Sequence, residues 1–140
     1  MKSSIFNSNK TFIVAEIGNN HEGSFKIASE MIEAASNAGV DAVKFQTINP
    51  NNFVTSTDLN RIRQLSKFKL SNEEFIKLAN QANDLGILFF STPFDLESAK
   101  FLNIFSLYSK FPLEITILCN LLILYLILIN LQLSPQEFQK

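Results

Sequence analysis

Residues 11–47 decide the fold of this chain, and they read TFIVAEIGNNHEGSFKIASEMIEAASNAGVDAVKFQT. Residues 11–17 are a short apolar run bounded by polar residues and a glycine, the pattern of a strand buried on both faces. From Ser24 the apolar residues recur at helical spacing, and residues 40–45 form a second apolar run. A strand, a helix and a strand with short joints predict a βαβ unit with parallel strands.

The residues at the helix ends support this assignment. Ser24 is a plausible N-cap, and Gly39 suits the left-handed position that follows a helix. The same signals recur where Ser71 and Glu74 form a capping box and Gly86 ends a second helix. The second helix is predicted to bury an apolar face made of Phe75, Leu78, Ala79, Ala82 and Leu85.

A third strand at residues 87–90 and a third helix capped by Asp95 complete a β-α-β-α-β-α order. This repeat predicts an α/β fold, either an open doubly wound sheet or a (β/α)8 barrel. The connection at residues 47–70 is long for such a unit, and the apolar residues after Asp58 predict a short helix within it. Its basic residues indicate a solvated helix face, with contact to an anionic ligand as the alternative: Arg61, Arg63, Lys67 and Lys69.

The composition excludes several classes of function. The chain has 140 residues and a net charge of −1, so no general attraction to nucleic acid or anionic membrane is expected. The single cysteine, Cys119, excludes an intramolecular disulfide and a multi-cysteine metal site. The polar N-terminus has no leader pattern, which predicts a cytoplasmic location.

Polar side chains follow the predicted strands at their carboxyl ends, where the working residues of parallel α/β folds collect. This rule selects Glu16, Lys44, Gln46, Ser91 and Thr92. For Glu16 and Lys44 the alternative is a structural ion pair, and for Thr92 it is a helix-cap or turn hydroxyl.

His21 is the single histidine of the chain, and one imidazole cannot form a metal site by itself. A structural, hydrogen-bonded residue is therefore expected there. Gly18 and Gly23 do not match the spacing of a dinucleotide-binding or phosphate-binding loop.

Three motifs carry a family resemblance: AEIGNNHEGS, GVDAVKFQT and LGILFFSTPFD. In this order and spacing the chain resembles the N-terminal third of the sialic acid synthase family, which includes N-acetylneuraminate, N-acylneuraminate-9-phosphate, legionaminic and pseudaminic acid synthases. The match covers roughly residues 12–102. It implies the first three βα units of a (β/α)8 TIM barrel.

The resemblance also implies a chemistry. These enzymes condense phosphoenolpyruvate with an N-acylated mannosamine-type sugar, giving a nonulosonic acid and phosphate for surface carbohydrates. By their motif positions, Glu16 lies beside the sugar and Lys44 balances the charge of phosphoenolpyruvate, as catalytic residues. Gln46 and Thr92 match substrate-binding positions. The family uses Mn²⁺ or Mg²⁺ on two histidines from later strands, which this chain lacks, and forms a homodimer.

Residues 104–140 depart from this pattern, and they contain no glycine, alanine or valine. The expected organisation is a polar lead-in at 1–11, a partial barrel at 12–103 and a divergent apolar tail at 104–140. One hypothesis is a reading frame that shifts near residue 103. The alternative is a hydrophobic helix, since residues 115–133 approach the ~20 residues of a membrane span.

The chain is therefore expected to be inactive alone, because a (β/α)8 barrel needs about 250 residues. Two other functions stay open. One is a non-catalytic remnant, either tethered to a membrane through residues 115–133 or acting in binding, and the other is a different phosphoenolpyruvate-using, aldolase-like barrel.

Overall fold

The computed structural model describes residues 11–108, with side chains described for residues 11–103. Three strands and five helices lie in this part of the chain: β1 (Val14–Gly18), α1 (Phe25–Asn37), β2 (Ala42–Thr47), α2 (Pro50–Phe53), α3 (Leu59–Ser66), α4 (Asn72–Asp84), β3 (Leu88–Pro93) and α5 (Leu96–Tyr108). The predicted β-α-β-α-β-α order is confirmed, with two short helices in the long connection. No helix within the described part is long and apolar enough to cross a membrane. Residues 115–133 and most of the predicted tail lie outside the described residues.

The strands form one parallel sheet in the order β1-β2-β3. Val14 pairs with Ala42 and Glu16 with Lys44, and a shift in register follows between Glu16 and Gly18. The order excludes a flavodoxin-like sheet, in which β1 lies between β2 and β3. It is shared by a (β/α)8 barrel and by one half of a doubly wound dinucleotide-binding sheet. The α/β class is therefore confirmed.

The described chain divides into two compact units, one with residues 11–45 and 70–90 and the other with residues 46–69 and 91–108. The core of the first unit is built around three phenylalanines. The Phe45 and Phe89 rings stack with their centroids 4.9 Å apart, and Phe75 meets Phe89 edge-on at 5.0 Å. Helices α1 and α4 pack together in this unit. Their buried residues are Ala28, Ile32 and Ala35 on α1 and Phe75, Leu78, Ala79 and Ala82 on α4.

The helix ends agree with the sequence signals. Ser24 Oγ accepts a hydrogen bond from the Ile27 backbone N–H (3.3 Å). In the capping box, Ser71 Oγ accepts from the Glu74 backbone N–H (3.2 Å), and the Glu74 carboxylate accepts from the Ser71 backbone N–H (2.9 Å). Gly39 follows α1 with a φ of +79°, a conformation that side chains resist.

The amino-terminal ends of the strands are tied together at Asp41. Its carboxylate accepts a hydrogen bond from the Ile13 backbone N–H (2.7 Å), and its own N–H donates to the Ile13 carbonyl (2.9 Å). The Leu88 backbone N–H donates to the Asp41 carbonyl (3.0 Å). The starts of all three strands therefore meet at one residue of the first unit.

Two predictions of burial were wrong. The first strand was expected to be buried on both faces, but Phe12, Ile13 and Val14 are 38%, 52% and 39% exposed. Phe12 and Ile13 precede β1 and Val14 is its first residue, so the exposed side chains lie at the start of the run, whereas Ile17 near the end of the strand is buried. Leu85 is 42% exposed because it is the C-cap of α4 and lies beyond the buried stripe of that helix.

Helix α2 was not predicted. Asn49 caps it by accepting a hydrogen bond from the Asn51 backbone N–H (3.3 Å), and Pro50 occupies its first turn. The Asn-Pro pair is a known start signal, but four residues are too few to show helical periodicity. Helix α3 agrees with the prediction, and the Asp58 carboxylate accepts from the Arg61 backbone N–H (3.0 Å).

Candidate functional site

The structure pairs the two charged residues that the sequence singled out. Glu16 on β1 and Lys44 on β2 are direct partners in the parallel register. The Lys44 Nζ atom lies 2.6 Å from Glu16 Oε2. The Glu16 side chain is 49% exposed and that of Lys44 is 32% exposed, so a solute can reach both. This geometry is compatible with a structural ion pair and with a substrate site. The catalytic roles of Glu16 and Lys44 therefore stay predictions.

The loop after Glu16 is held by its own backbone and by His21. The Asn20 N–H donates to the Ile17 carbonyl (3.1 Å), and the Ser24 N–H donates to the His21 carbonyl (2.9 Å). Glu22 has a φ of +51°, in the left-handed region that favours glycine. The loop is therefore a tight, locally bonded turn between β1 and α1.

His21 is buried in this turn, as the sequence predicted for a structural histidine. Its Nδ1 atom accepts a hydrogen bond from the Gly23 backbone N–H (3.1 Å), and its ring centroid lies 5.8 Å from that of Phe45. Burial lowers the pKa of the His21 imidazole, because the charged form loses solvation. Nδ1 is an acceptor, so the neutral ring carries its proton on Nε2. Over residues 11–103, no three His, Cys, Asp or Glu side chains group as a metal site.

The two residues that the family resemblance matched to substrate-binding positions lie in the second unit. Gln46 is in β2 and Thr92 is in β3, and both are half-buried. Their neighbours Thr47 and Ser91 form a hydroxyl–hydroxyl hydrogen bond of 2.5 Å. Because successive side chains of a strand alternate between faces, this contact assigns Gln46 and Thr92 to the opposite face of the sheet. The structure thus pairs Glu16 with Lys44, and it assigns Gln46 and Thr92 to one face of the sheet.

A hydrogen-bonded cluster joins the segments that follow Gln46 and Thr92. The buried Asp95 carboxylate accepts from the Ser98 backbone N–H (2.9 Å), the Ser98 hydroxyl (2.6 Å) and the Asn49 backbone N–H (2.6 Å). The Phe94 backbone N–H donates to the Thr47 carbonyl (3.0 Å). The sequence indicated Asp95 as the cap of α5. It gave no signal for the contact with Asn49, which is 46 residues away.

The basic residues of the connection at residues 47–70 occupy a solvated face, as predicted. The side chains concerned are exposed: Arg61, Arg63, Lys67 and Lys69. Arg61 Nη1 donates to Gln64 Oε1 (2.8 Å), one turn along the same helix. Contact with an anionic ligand, the alternative, stays a prediction.

Comparisons with known proteins establish the family. The model of the NeuB family matches residues 31–110, more than half of the chain. The chain belongs to the NeuB family. The resemblance seen in the three motifs is thereby confirmed.

Relatives within the NeuB family include named synthases. The chain is 38% identical over 104 residues to N,N'-diacetyllegionaminic acid synthase of Legionella pneumophila, covering 65% of this chain and 29% of that protein. It is 35% identical over 114 residues to pseudaminic acid synthase of Campylobacter jejuni, covering 71% and 33%.

A solved structure shows the same arrangement. N-acetylneuraminic acid (sialic acid) synthetase from Leptospira borgpetersenii, solved in complex with citrate, is 32% identical and superimposes with a TM-score of 0.65. The match covers 70% of this chain and 34% of that one. The chain spans about a third or less of the length of these NeuB-family relatives.

Proposed function

We propose that this chain supplies one part of a sialic-acid-synthase-like site, which in a complete enzyme condenses phosphoenolpyruvate with an N-acylated mannosamine-type sugar. The observation that carries the proposal is the Glu16–Lys44 pair, part-exposed on adjacent parallel strands. The names of the relatives, which are legionaminic, pseudaminic and sialic acid synthases, support the same reaction class.

The pair suits the charges of the reactants. An ammonium group has three donors, and Lys44 uses one toward Glu16, which leaves donors for the carboxylate or phosphate oxygens of phosphoenolpyruvate. The Glu16 carboxylate holds the ammonium in place and accepts hydrogen bonds from sugar hydroxyls. Gln46 and Thr92 add an amide and a hydroxyl to orient the substrates.

The proposed reaction forms one carbon–carbon bond and releases phosphate. The enol carbon of phosphoenolpyruvate attacks the aldehyde carbon of the sugar, and the aldehyde oxygen takes up a proton. Water adds to the resulting cationic carbon, which then releases phosphate to leave the keto group. The contribution of this chain is to hold the anion and the sugar in contact and to neutralise charge.

The described residues do not fit the divalent metal that the family resemblance implies. His21, the single imidazole, is buried with Nδ1 already accepting from Gly23, and residues 11–103 contain no group of three His, Cys, Asp or Glu side chains arranged as a site. No step is therefore assigned to a metal held by these residues. In the proposed enzyme the Mn²⁺ or Mg²⁺ ligands come from other strands.

The architecture of the complete enzyme is part of the proposal. Residues 12–103 would form three βα units of a TIM barrel, in a cytoplasmic homodimer that makes surface carbohydrate. Because a (β/α)8 barrel needs about 250 residues, we expect the 140-residue chain alone to be inactive.

A chimeric enzyme tests the proposal directly. Residues 12–102 would replace the matching segment of the Legionella synthase, and phosphate release from phosphoenolpyruvate would be measured with N-acyl amino sugars and Mn²⁺. We expect activity in the chimera, and a loss of about 10²-fold or more for Lys44→Met and Glu16→Gln. The control is the surface pair Lys26–Glu30, whose side chains are 85% and 60% exposed. Lys26→Met and Glu30→Gln should leave the rate unchanged.

Other results would favour the alternatives. A folded chimera that keeps full activity after Lys44→Met contradicts the proposed role of the pair. Activity with simple aldehydes but not with amino sugars would indicate an aldolase-like barrel. Recovery of the 140-residue chain in the membrane fraction would support a tethered remnant.

A further inference from the structure

We propose that Asp95 is a positioning residue, whose buried carboxylate fixes the segments that follow Gln46 and Thr92 and so sets the positions of those two side chains. The inference rests on the proposed function for its catalytic consequence. Its structural basis lies within the second compact unit and is independent of that function.

The burial of Asp95 calls for a specific reason. Asp95 is only 4% exposed. Burying a carboxylate costs free energy unless hydrogen bonds replace those it made to water. Capping α5 uses one oxygen, since Oδ1 accepts from the Ser98 N–H. The second oxygen, Oδ2, accepts from the Ser98 hydroxyl and from the Asn49 backbone N–H, each at 2.6 Å. A helix cap alone does not require the bond to Asn49.

The bond to Asn49 joins the segment that follows Gln46 to the segment that follows Thr92. Asn49 lies three residues after Gln46, and Asp95 lies three residues after Thr92. Between them, the Thr47 hydroxyl pairs with that of Ser91, and the Thr47 carbonyl accepts from the Phe94 N–H.

Three contacts therefore hold the carboxyl ends of β2 and β3 side by side. Loss of the outermost contact, from Asp95 to Asn49, removes the backbone anchor of the segment after Gln46, while the two contacts of Thr47 remain. A misplacement of about 1 Å at a site can cost about 10²-fold in rate.

Glu97 provides a matched control on the same helix turn. Its Oε2 atom accepts from Asn49 Nδ2 (2.6 Å) and Asn52 Nδ2 (3.0 Å), so it contacts the same loop. Glu97 is exposed, however, and it reaches side-chain amides rather than the backbone. Glu97→Gln therefore repeats the carboxyl-to-amide change of Asp95→Asn without touching the proposed contact.

Asp95→Ser separates capping from positioning. Serine is a good N-cap, so it can keep the bond from the Ser98 N–H that begins α5. It has one short oxygen and cannot also reach the Asn49 N–H. If Asp95 only caps α5, the serine variant should behave like the parent. If it positions the loop, the contact to Asn49 should be lost while α5 stays capped.

The first measurement is amide hydrogen exchange by NMR on the full 140-residue chain. Because hydrogen bonds to charged groups are worth more than neutral ones, we expect the Asn49 amide to exchange at least about tenfold faster in Asp95→Ser and Asp95→Asn. In Glu97→Gln it should change by less than about twofold. Unchanged exchange at Asn49 in Asp95→Ser would overturn the inference.

The second measurement uses the active chimera. Measured where each variant is folded, we expect Asp95→Ser to raise the KM for phosphoenolpyruvate by about tenfold, with parent-like kinetics for Glu97→Gln. A parent-like KM in the serine variant would contradict the catalytic consequence. An inactive parent chimera would instead count against the proposed function, while the Asn49 exchange result would still decide the role of Asp95.

Discussion

Glu16 and Lys44 face each other across β1 and β2, with their Cα atoms in register and their charged atoms 2.6 Å apart. Because both side chains are part-exposed, solvent screens the attraction, and such pairs contribute about 0–1 kcal/mol to stability. The stability of the fold therefore does not explain why a carboxylate and an ammonium occupy these positions.

The stability of single variants tests this reasoning. Glu16→Gln should lower the free energy of unfolding of the chain by less than about 1 kcal/mol, measured by urea denaturation. The control variant Glu30→Gln, in the exposed Lys26–Glu30 pair, should show a change of similar size. A loss above about 3 kcal/mol for Glu16→Gln would be typical of a buried structural pair and would contradict the functional interpretation.

His21 should make the fold sensitive to acid. Burial lowers its pKa in the folded chain below the ordinary value of 6.5, so the unfolded chain binds a proton first as the pH falls. The stabilisation is fully present above that ordinary value and is lost as the pH falls from it toward the lowered pKa. Protonation of Nδ1 would also remove the acceptor of the Gly23 N–H.

His21→Asn tests the titration, because asparagine can offer an acceptor near the position of Nδ1 but does not ionise. Unfolding free energies measured from about pH 7.5 to about pH 5 should fall more steeply for the parent chain than for the variant. Parallel loss of stability in both proteins would show that other groups cause the acid sensitivity.

The capping box of α4 should make a measurable contribution to the free energy of unfolding. Ser71→Ala removes the acceptor of the Glu74 N–H and should cost about 1 kcal/mol. The backbone N–H and then the hydroxyl of Ser71 lower the pKa of the Glu74 carboxyl. The part of the stability that depends on ionised Glu74 is present above its ordinary pKa and is lost as the pH falls through the lowered value. A Ser71→Ala variant as stable as the parent in urea would contradict the assignment.

The aromatic core should tolerate truncation poorly. Phe89 is 2% exposed and contacts both Phe45 and Phe75, so Phe89→Ala should destabilise the chain by about 3–5 kcal/mol. Phe12, which is 38% exposed, offers the same substitution at the surface of the first unit. Phe12→Ala should cost less than half as much in urea denaturation. Equal losses would show that Phe89 is not the centre of the core.

The helices and their ends were predictable because their signals are local. Ser24 and Ser71 cap helices through bonds to residues three positions on, and Gly39 marks a helix end by its conformation alone. The exposure of Phe12 was not predictable in the same way. An apolar run shows that a strand can be buried, but which of its residues are covered depends on the elements that pack over the sheet.

The candidate site was predictable in part for a similar reason. A rule of parallel topology selected Glu16 and Lys44, and the register of β1 and β2 brings them together. The contact of Asp95 with Asn49 had no sequence signal, because a backbone N–H is present at almost every residue and does not identify its partner.

Asp41 anchors the starting end of the sheet, away from the carboxyl ends of the strands. The starts of all three strands converge on this residue through backbone groups and one carboxylate, which bond to one another within the sheet. These contacts do not depend on the side chains at the carboxyl ends of the strands, where the working residues of parallel α/β folds collect. Substitutions at the carboxyl ends of the strands can therefore change the chemistry offered there while the strand starts keep the same anchor.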